Sequence, residues 1–143
     1  MKRILVDTDG SAGADRAVDA ASELAMPFGA ELLIATVEQG YMQGELEELR
    51  WAEHATAEEV LTALSREILK RAGKRAQTIG IEASKTFIGL GDAAGFILEV
   101  AEREKPDLIV VGKRGRGRLG GLLLGSVSQK VVSLAACSVL VVP

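Results

Sequence analysis

Four short aliphatic runs stand far apart in this chain, and they restrict its fold more than any other feature. They are Ile4-Leu5-Val6, Leu32-Leu33-Ile34-Ala35-Thr36-Val37, Leu108-Ile109-Val110-Val111 and Val139-Leu140-Val141-Val142. Each is short and almost without polar alternation, as in a strand buried on both faces. Helical patterns separate them. Strands alternating with helices in one chain imply a parallel sheet with helices packed on its two faces, a three-layer α/β/α arrangement.

Taken in order, the first strand is expected over Arg3–Thr8 and the first helix after the turn Asp9-Gly10-Ser11, with Ser11 as its N-cap. Its apolar stripe is Ala14, Ala17, Val18, Ala21, Leu24 and Ala25, and Pro27 and Gly29 mark its end. A second strand covers Glu31–Val37. Gln39–Gly44 reads as a loop holding the single Tyr41, followed by an acidic stretch with Leu46, Leu49 and Trp51. A long helix then runs to about Gln77, its stripe being Val60, Leu61, Leu64, Ile68 and Ala72. Gly80 precedes a third strand, Ile81–Ile88. Asp92 is placed to cap a helix with the stripe Ala93, Ile97, Val100 and Ala101, and Lys105-Pro106-Asp107 ends it. The fourth strand is Leu108–Val111, a helix follows from Ser126 to about Ala135, and Ser138–Val142 is the fifth strand. The 143 residues fit one domain, 1–143.

Charge is distributed unevenly. Five of the 17 Lys and Arg and none of the 20 Asp and Glu lie from Leu108 onward. The rest of the chain therefore carries 12 cations against 20 acids. A compact basic loop on an acidic body suits a small polyanion, whereas a nucleic-acid footprint is a broader basic face. Aromatics are only 3% of residues, too few for a base-stacking platform. The single cysteine, Cys137, forms no intrachain disulfide and reads as a small buried filler, consistent with a cytoplasmic protein. No apolar run is long enough for a signal-peptide core or a membrane span.

The basic loop follows the fourth strand: Gly112-Lys113-Arg114-Gly115-Arg116-Gly117-Arg118, then Gly120-Gly121, ending at Gly125-Ser126 before a helix. Strand, glycine-rich loop and helix start form a recipe for holding an anion, because exposed amides and the helix dipole point at it. Gly112 to Gly117 has the spacing of a Walker A loop, but Arg118 and Leu119 stand where Lys and Ser/Thr are required. Gly115-x-Gly117-x-x-Gly120 matches a dinucleotide fingerprint in letters only. It follows a late strand, and no acid follows it. Ser126-Val127-Ser128-Gln129 has the form of a capping box.

Gly112-x-x-Gly115, nine residues, then Gly125-Ser126 resembles the G-2x-G-9x-G-(S/T) signature of nucleotide-binding universal stress proteins. Ile4–Ser11, Gly91–Ala94 and Ala136–Val142 are similar to that family's first strand and turn, its turn before the third helix, and its closing strand. The resemblance implies a doubly wound five-stranded parallel sheet of order 3-2-1-4-5 with about four helices. It implies ATP or another adenylate (AMP or ADP) as ligand, with Mg2+ only as a companion of the phosphates, and regulation with at most slow hydrolysis. The site it implies comprises Asp7, Thr8 and Asp9 after the first strand and Val37 packed on adenine. Gly112, Lys113, Arg114, Gly115, Arg116, Gly117, Arg118, Gly125, Ser126, Val127 and Ser128 surround the phosphates. Asp7 departs from the pattern, which usually has Pro, Ala or Gly there. The resemblance also implies a homodimer paired through strand 138–142.

No Cys/His metal cluster and no nucleophile-base-acid trio is evident. Asp7 and Asp9 are not read as a metal-sharing pair, His54 reads as a surface residue, and Glu45, Glu47 and Glu48 as a solvated face. The competing reading is a nucleotide-independent homodimeric interaction protein whose basic loop docks a partner.

Overall fold

In the computed structural model, which describes residues 1–38, 56–115 and 123–143, five parallel strands form one sheet in the order β3-β2-β1-β4-β5. The elements are β1 (Arg3–Asp7), α1 (Ala12–Phe28), β2 (Glu31–Val37), α2 (Ala57–Ile79), β3 (Ala83–Gly89), α3 (Ala93–Glu104), β4 (Leu108–Gly112), α4 (Ser126–Leu134) and β5 (Ser138–Val142). The strand order and the α/β/α class expected from the sequence are both present. Tyr41, Leu46, Leu49, Trp51, His54 and the acids Glu45, Glu47 and Glu48 lie outside the described residues.

Three of the four aliphatic runs form the inner strands β2, β1 and β4, which are covered on both faces, and the fourth forms the partly buried edge strand β5. Ile4, Leu5, Val6, Leu32, Leu33, Ile34, Ile109 and Val110 are fully buried. Alternation divides them between two cores. Ile4, Val6, Leu32, Ile34 and Val110 pack with Ala17, Val18, Ala21, Leu69, Ala72 and Ala76 of α1 and α2. Leu5, Leu33, Ala35, Ile109 and Val111 pack with Ile97 and Val100 of α3 and Val131 of α4. Burying each large aliphatic side chain stabilises the fold by about 1.5–3 kcal/mol.

Local signals fix the helix ends. Ser11 Oγ accepts the Ala14 N–H at 3.2 Å, as expected of an N-cap. Thr56 and Glu59 complete a reciprocal capping box at α2, and Asp92 Oδ2 accepts the Gly95 N–H at 2.8 Å at α3. Pro27 does not stop α1. It lies inside the last turn, and Gly29 ends the helix at φ 59°. On α2, Leu61 and Leu64 are only partly buried, while Leu69 and Ala76 complete the inward face.

Two strand boundaries differ from the sequence expectation. β1 ends at Asp7, although the Thr8 N–H still reaches the Ala35 carbonyl at 2.9 Å. β3 spans Ala83–Gly89 and is largely exposed, an edge strand without an aliphatic run to announce it.

The central strand creates the crevice. From β1 the chain winds outward through β2 and β3, with α1 and α2 over one face. It then returns to β4 on the other side of β1 and continues to β5, with α3 and α4 over the opposite face. The connections leaving β1 and β4 therefore diverge at the carboxyl ends of adjacent strands, where open α/β sheets bind ligands.

Candidate functional site

The turn after β1 is built by its own side chains. Thr8, almost fully buried, accepts the Gly10 N–H at its Oγ1. Asp9 Oδ1 accepts the Ser11 N–H at 2.9 Å, and Gly10 takes a positive φ of 78° to complete the turn. The guanidinium of Arg71, on α2, donates to the Gly10 carbonyl and pairs with Asp15 at 3.2 Å.

The loop after β4 is tied differently. The Lys113 N–H donates to the Val142 carbonyl at 2.6 Å, holding the loop entrance against β5. The Lys113 carbonyl accepts the Gly125 N–H at 2.8 Å and the Ser128 Oγ–H at 3.0 Å. One peptide thus joins the entrance of the loop to its exit. Ser126 is not the N-cap, and the expected capping box is not formed. Gly125 is the N-cap at φ −70° and ψ 165°, no side chain caps α4, and Ser126 is its exposed first residue. The serine that does structural work is Ser128, whose hydroxyl turns back to the loop instead of outward to a ligand. Val127 packs partly against the core of β4 and β5.

The two connections meet closely. A Cβ at Gly112 would stand 3.1–3.3 Å from the backbone of Gly13 and Ala14, and one at Gly13 would stand 2.8 Å from the Arg114 carbonyl oxygen. A Cβ at Gly115 would fall 2.5 Å from Asp9 Oδ2. These glycines therefore let one loop lie against the other, a packing role that precedes any contact with a ligand. Gly13 was invisible to motif reasoning. Its signal is a glycine in the first turn of a helix, where alanine is otherwise favoured.

The turn holding Asp9 thus lies directly against Gly115, and Gly13 against Gly112 and Arg114, while Gly125 and Ser128 are bonded to the Lys113 carbonyl of the same loop. Val37, at the carboxyl end of β2, is buried near the same end of the sheet. Arg116, Gly117 and Arg118 lie outside the described residues. Asp7 is partly buried, and removal of its carboxyl from water, reinforced by the negative charge of Asp9, pushes its pKa up to about 7 against an opposing Thr8 backbone N–H. Among the described residues no group of three or more His, Cys, Asp or Glu is arranged to hold a metal ion. No described helix is long and apolar enough to cross a membrane.

Fold and site together define a doubly wound α/β protein with a polar, glycine-walled crevice at its topological switch point. The chain belongs to the universal stress protein family, whose sequence model matches residues 1–143. It is 38% identical to a universal stress protein of Thermus aquaticus, covering 99% of this chain and 98% of the relative. It is 36% identical to one from Bacillus subtilis, covering 99% of each. Among solved structures it is similar to a universal stress protein in complex with cAMP, at 30% identity, TM-score 0.75, and 99% and 97% coverage. The protein UspA of Lactobacillus plantarum is similar at 26% identity and TM-score 0.76, with 99% and 97% coverage.

Proposed function

We propose that this protein is a cytoplasmic regulatory protein that binds an adenine nucleotide, ATP or a related adenylate, in the crevice between the β1 turn and the β4 loop. The observation that carries this reading is the start of α4. It has no side-chain cap, and it opens beside a loop whose entrance and exit are fastened at Lys113. Amides at Ser126, Val127 and Ser128 offer donors to phosphate, and the helix dipole favours negative charge there. Lys113 and Arg114, with Arg116 and Arg118, offset the charge of the phosphates, and Mg2+ enters only with them. Val37 packs against the base, and Asp9 lines the crevice between base and phosphates. Binding of cAMP by a relative at 30% identity supports the ligand class. The bound state is the signal, with hydrolysis slow at most.

The protein pairs as a homodimer through β5. That strand is at the sheet edge, its Val139, Leu140, Val141 and Val142 are only partly buried, and natural proteins cover such edges.

The test is thermal stability and calorimetric titration with ATP and cAMP. A rise in melting temperature that grows with nucleotide concentration is expected. No stabilisation at millimolar nucleotide overturns the reading. Gly115→Val places side-chain atoms where the Asp9 carboxylate lies and abolishes binding while the circular dichroism spectrum stays native. Normal binding by that variant places the phosphates elsewhere.

A further inference from the structure

Both backbone groups of Gly10 are held. Its N–H donates to Thr8 Oγ1 at 3.2 Å, and its carbonyl accepts from the guanidinium of Arg71 on α2. The Gly10 carbonyl and the Ser11 N–H belong to one peptide unit, which is planar and trans, so they point in opposite directions. Arg71 holds one end of that unit. At the other end Asp9 Oδ1 accepts the Ser11 N–H at 2.9 Å. The second oxygen of the same carboxylate, Oδ2, stands 2.5 Å from where a Cβ on Gly115 would lie. A continuous set of contacts therefore runs from α2, through one peptide, to the carboxylate that lies against the β4 loop.

Joining α1 to α2 does not account for Arg71. Arg75, four residues further along α2, already makes that link, pairing with Asp19 at 2.5 Å and with Asp15 at 3.8 Å. Arg71 shares Asp15 at 3.2 Å and reaches beyond it to the Gly10 carbonyl. That carbonyl lies just ahead of α1, at the end of a helix where its dipole disfavours a cation. The guanidinium is held there by the Asp15 carboxylate and the carbonyl it binds, against the dipole.

We propose that Arg71 is a positioning residue of the crevice: by fixing the Gly10–Ser11 peptide it aims the Asp9 carboxylate at the β4 loop. Its effect on ligand binding rests on the nucleotide reading above. Without the guanidinium the peptide can turn, since glycine at position 10 permits other backbone conformations. Asp9 Oδ1 then loses its donor, and the carboxylate leaves Gly115.

The experiment compares Arg71→Ala with Arg75→Ala in the full chain. Amide hydrogen exchange of Ser11 is followed by NMR without nucleotide, and ATP affinity by calorimetry. Both variants should lower the melting temperature slightly, as exposed ion pairs do. Only Arg71→Ala should speed Ser11 exchange, by about fivefold or more, and weaken ATP binding, by about three- to tenfold. In an Asp9→Ala background, adding Arg71→Ala should change affinity by less than about twofold, because the two residues act in series. Unchanged Ser11 exchange in Arg71→Ala, equal effects of the two arginine variants on affinity, or full additivity with Asp9→Ala overturns the positioning role while nucleotide binding stands. If the native protein binds no ATP but Ser11 exchange still responds to Arg71→Ala alone, the nucleotide reading falls and the hold of Arg71 on the turn is upheld.

Discussion

The junctions β1–α1 and β4–α4 occupy equivalent places at the switch point, yet they satisfy their helix starts in opposite ways. At α1, Ser11 caps the helix, Asp9 bonds the amide of Ser11 and Thr8 bonds that of Gly10. This turn is acidic and closed by its own side chains. At α4 the cap is a glycine, the nearby Ser128 hydroxyl is committed to the Lys113 carbonyl, and the charged neighbours are cations. The difference teaches that the two central junctions are held by different groups: side-chain oxygens close the first, while the backbone carbonyl of Lys113 fastens the second and, among the described residues, no side chain caps its helix start.

The largest effect on this comparison is expected at Asp7, the acid that only the β1 junction carries. Its folded pKa of about 7 lies above the value of roughly 4 for an unfolded aspartate. The native state holds the extra proton, so stability falls as pH rises from about 4 to about 7, and the full penalty persists above that. Asp7→Asn removes the penalty. It should raise unfolding free energy by roughly 2–4 kcal/mol at pH 8 and leave it unchanged at pH 4. Denaturant titration at both pH values measures this, and equal effects at both would place the carboxyl in water.

A smaller effect is expected where the junctions touch. Gly→Ala in a helix ordinarily stabilises by about 1 kcal/mol. At Gly13 the new methyl would meet the Arg114 carbonyl oxygen, so the sign should reverse to a loss of about 1–3 kcal/mol. Stabilisation by Gly13→Ala would show that the loop yields freely and that the two junctions are not coupled.

The smallest effects sharpen the contrast most. Ser11→Ala should cost about 1 kcal/mol, as loss of an N-cap does. Ser126→Ala should change stability by less than about 0.5 kcal/mol, because its exposed hydroxyl caps nothing. Nucleotide affinity should respond in the reverse order, weakening for Ser126→Ala and holding for Ser11→Ala. Paired melting and titration curves of the two variants decide it.

What the sequence made legible follows from how locally each feature is determined. β1, β2 and β4 were readable because burial on two faces demands continuous aliphatic runs, and β5 because it keeps such a run although it is an edge strand and only partly buried. β3 was blurred because an exposed edge strand such as Ala83–Gly89 can carry Lys85 and Thr86 without penalty. Ser11 and Asp92 were readable as caps since each bonds an amide three residues onward. Ser126 was misread because a capping pattern says nothing of a carbonyl arriving from Lys113, and that carbonyl recruits Ser128 while Gly125 takes the cap. The acid at Asp7 was visible in the sequence. Its altered ionisation was not, because that depends on the packing of β2 and β4 around it.

The strand at the middle of the sheet is also the earliest in the chain. Lys2 and Arg3 donate backbone N–H bonds to Asp107, and Ile4 is aligned with Leu108. During synthesis, then, one flank of β1 stays without its permanent neighbour until more than a hundred residues have emerged. Half of the molecule has to wait in a partly assembled form, with Leu5 and its neighbours on that side unsealed. Folding of such a long-range parallel pairing is slow compared with helix formation, and the arrival of β4 is the event that completes both the interior and the crevice at once.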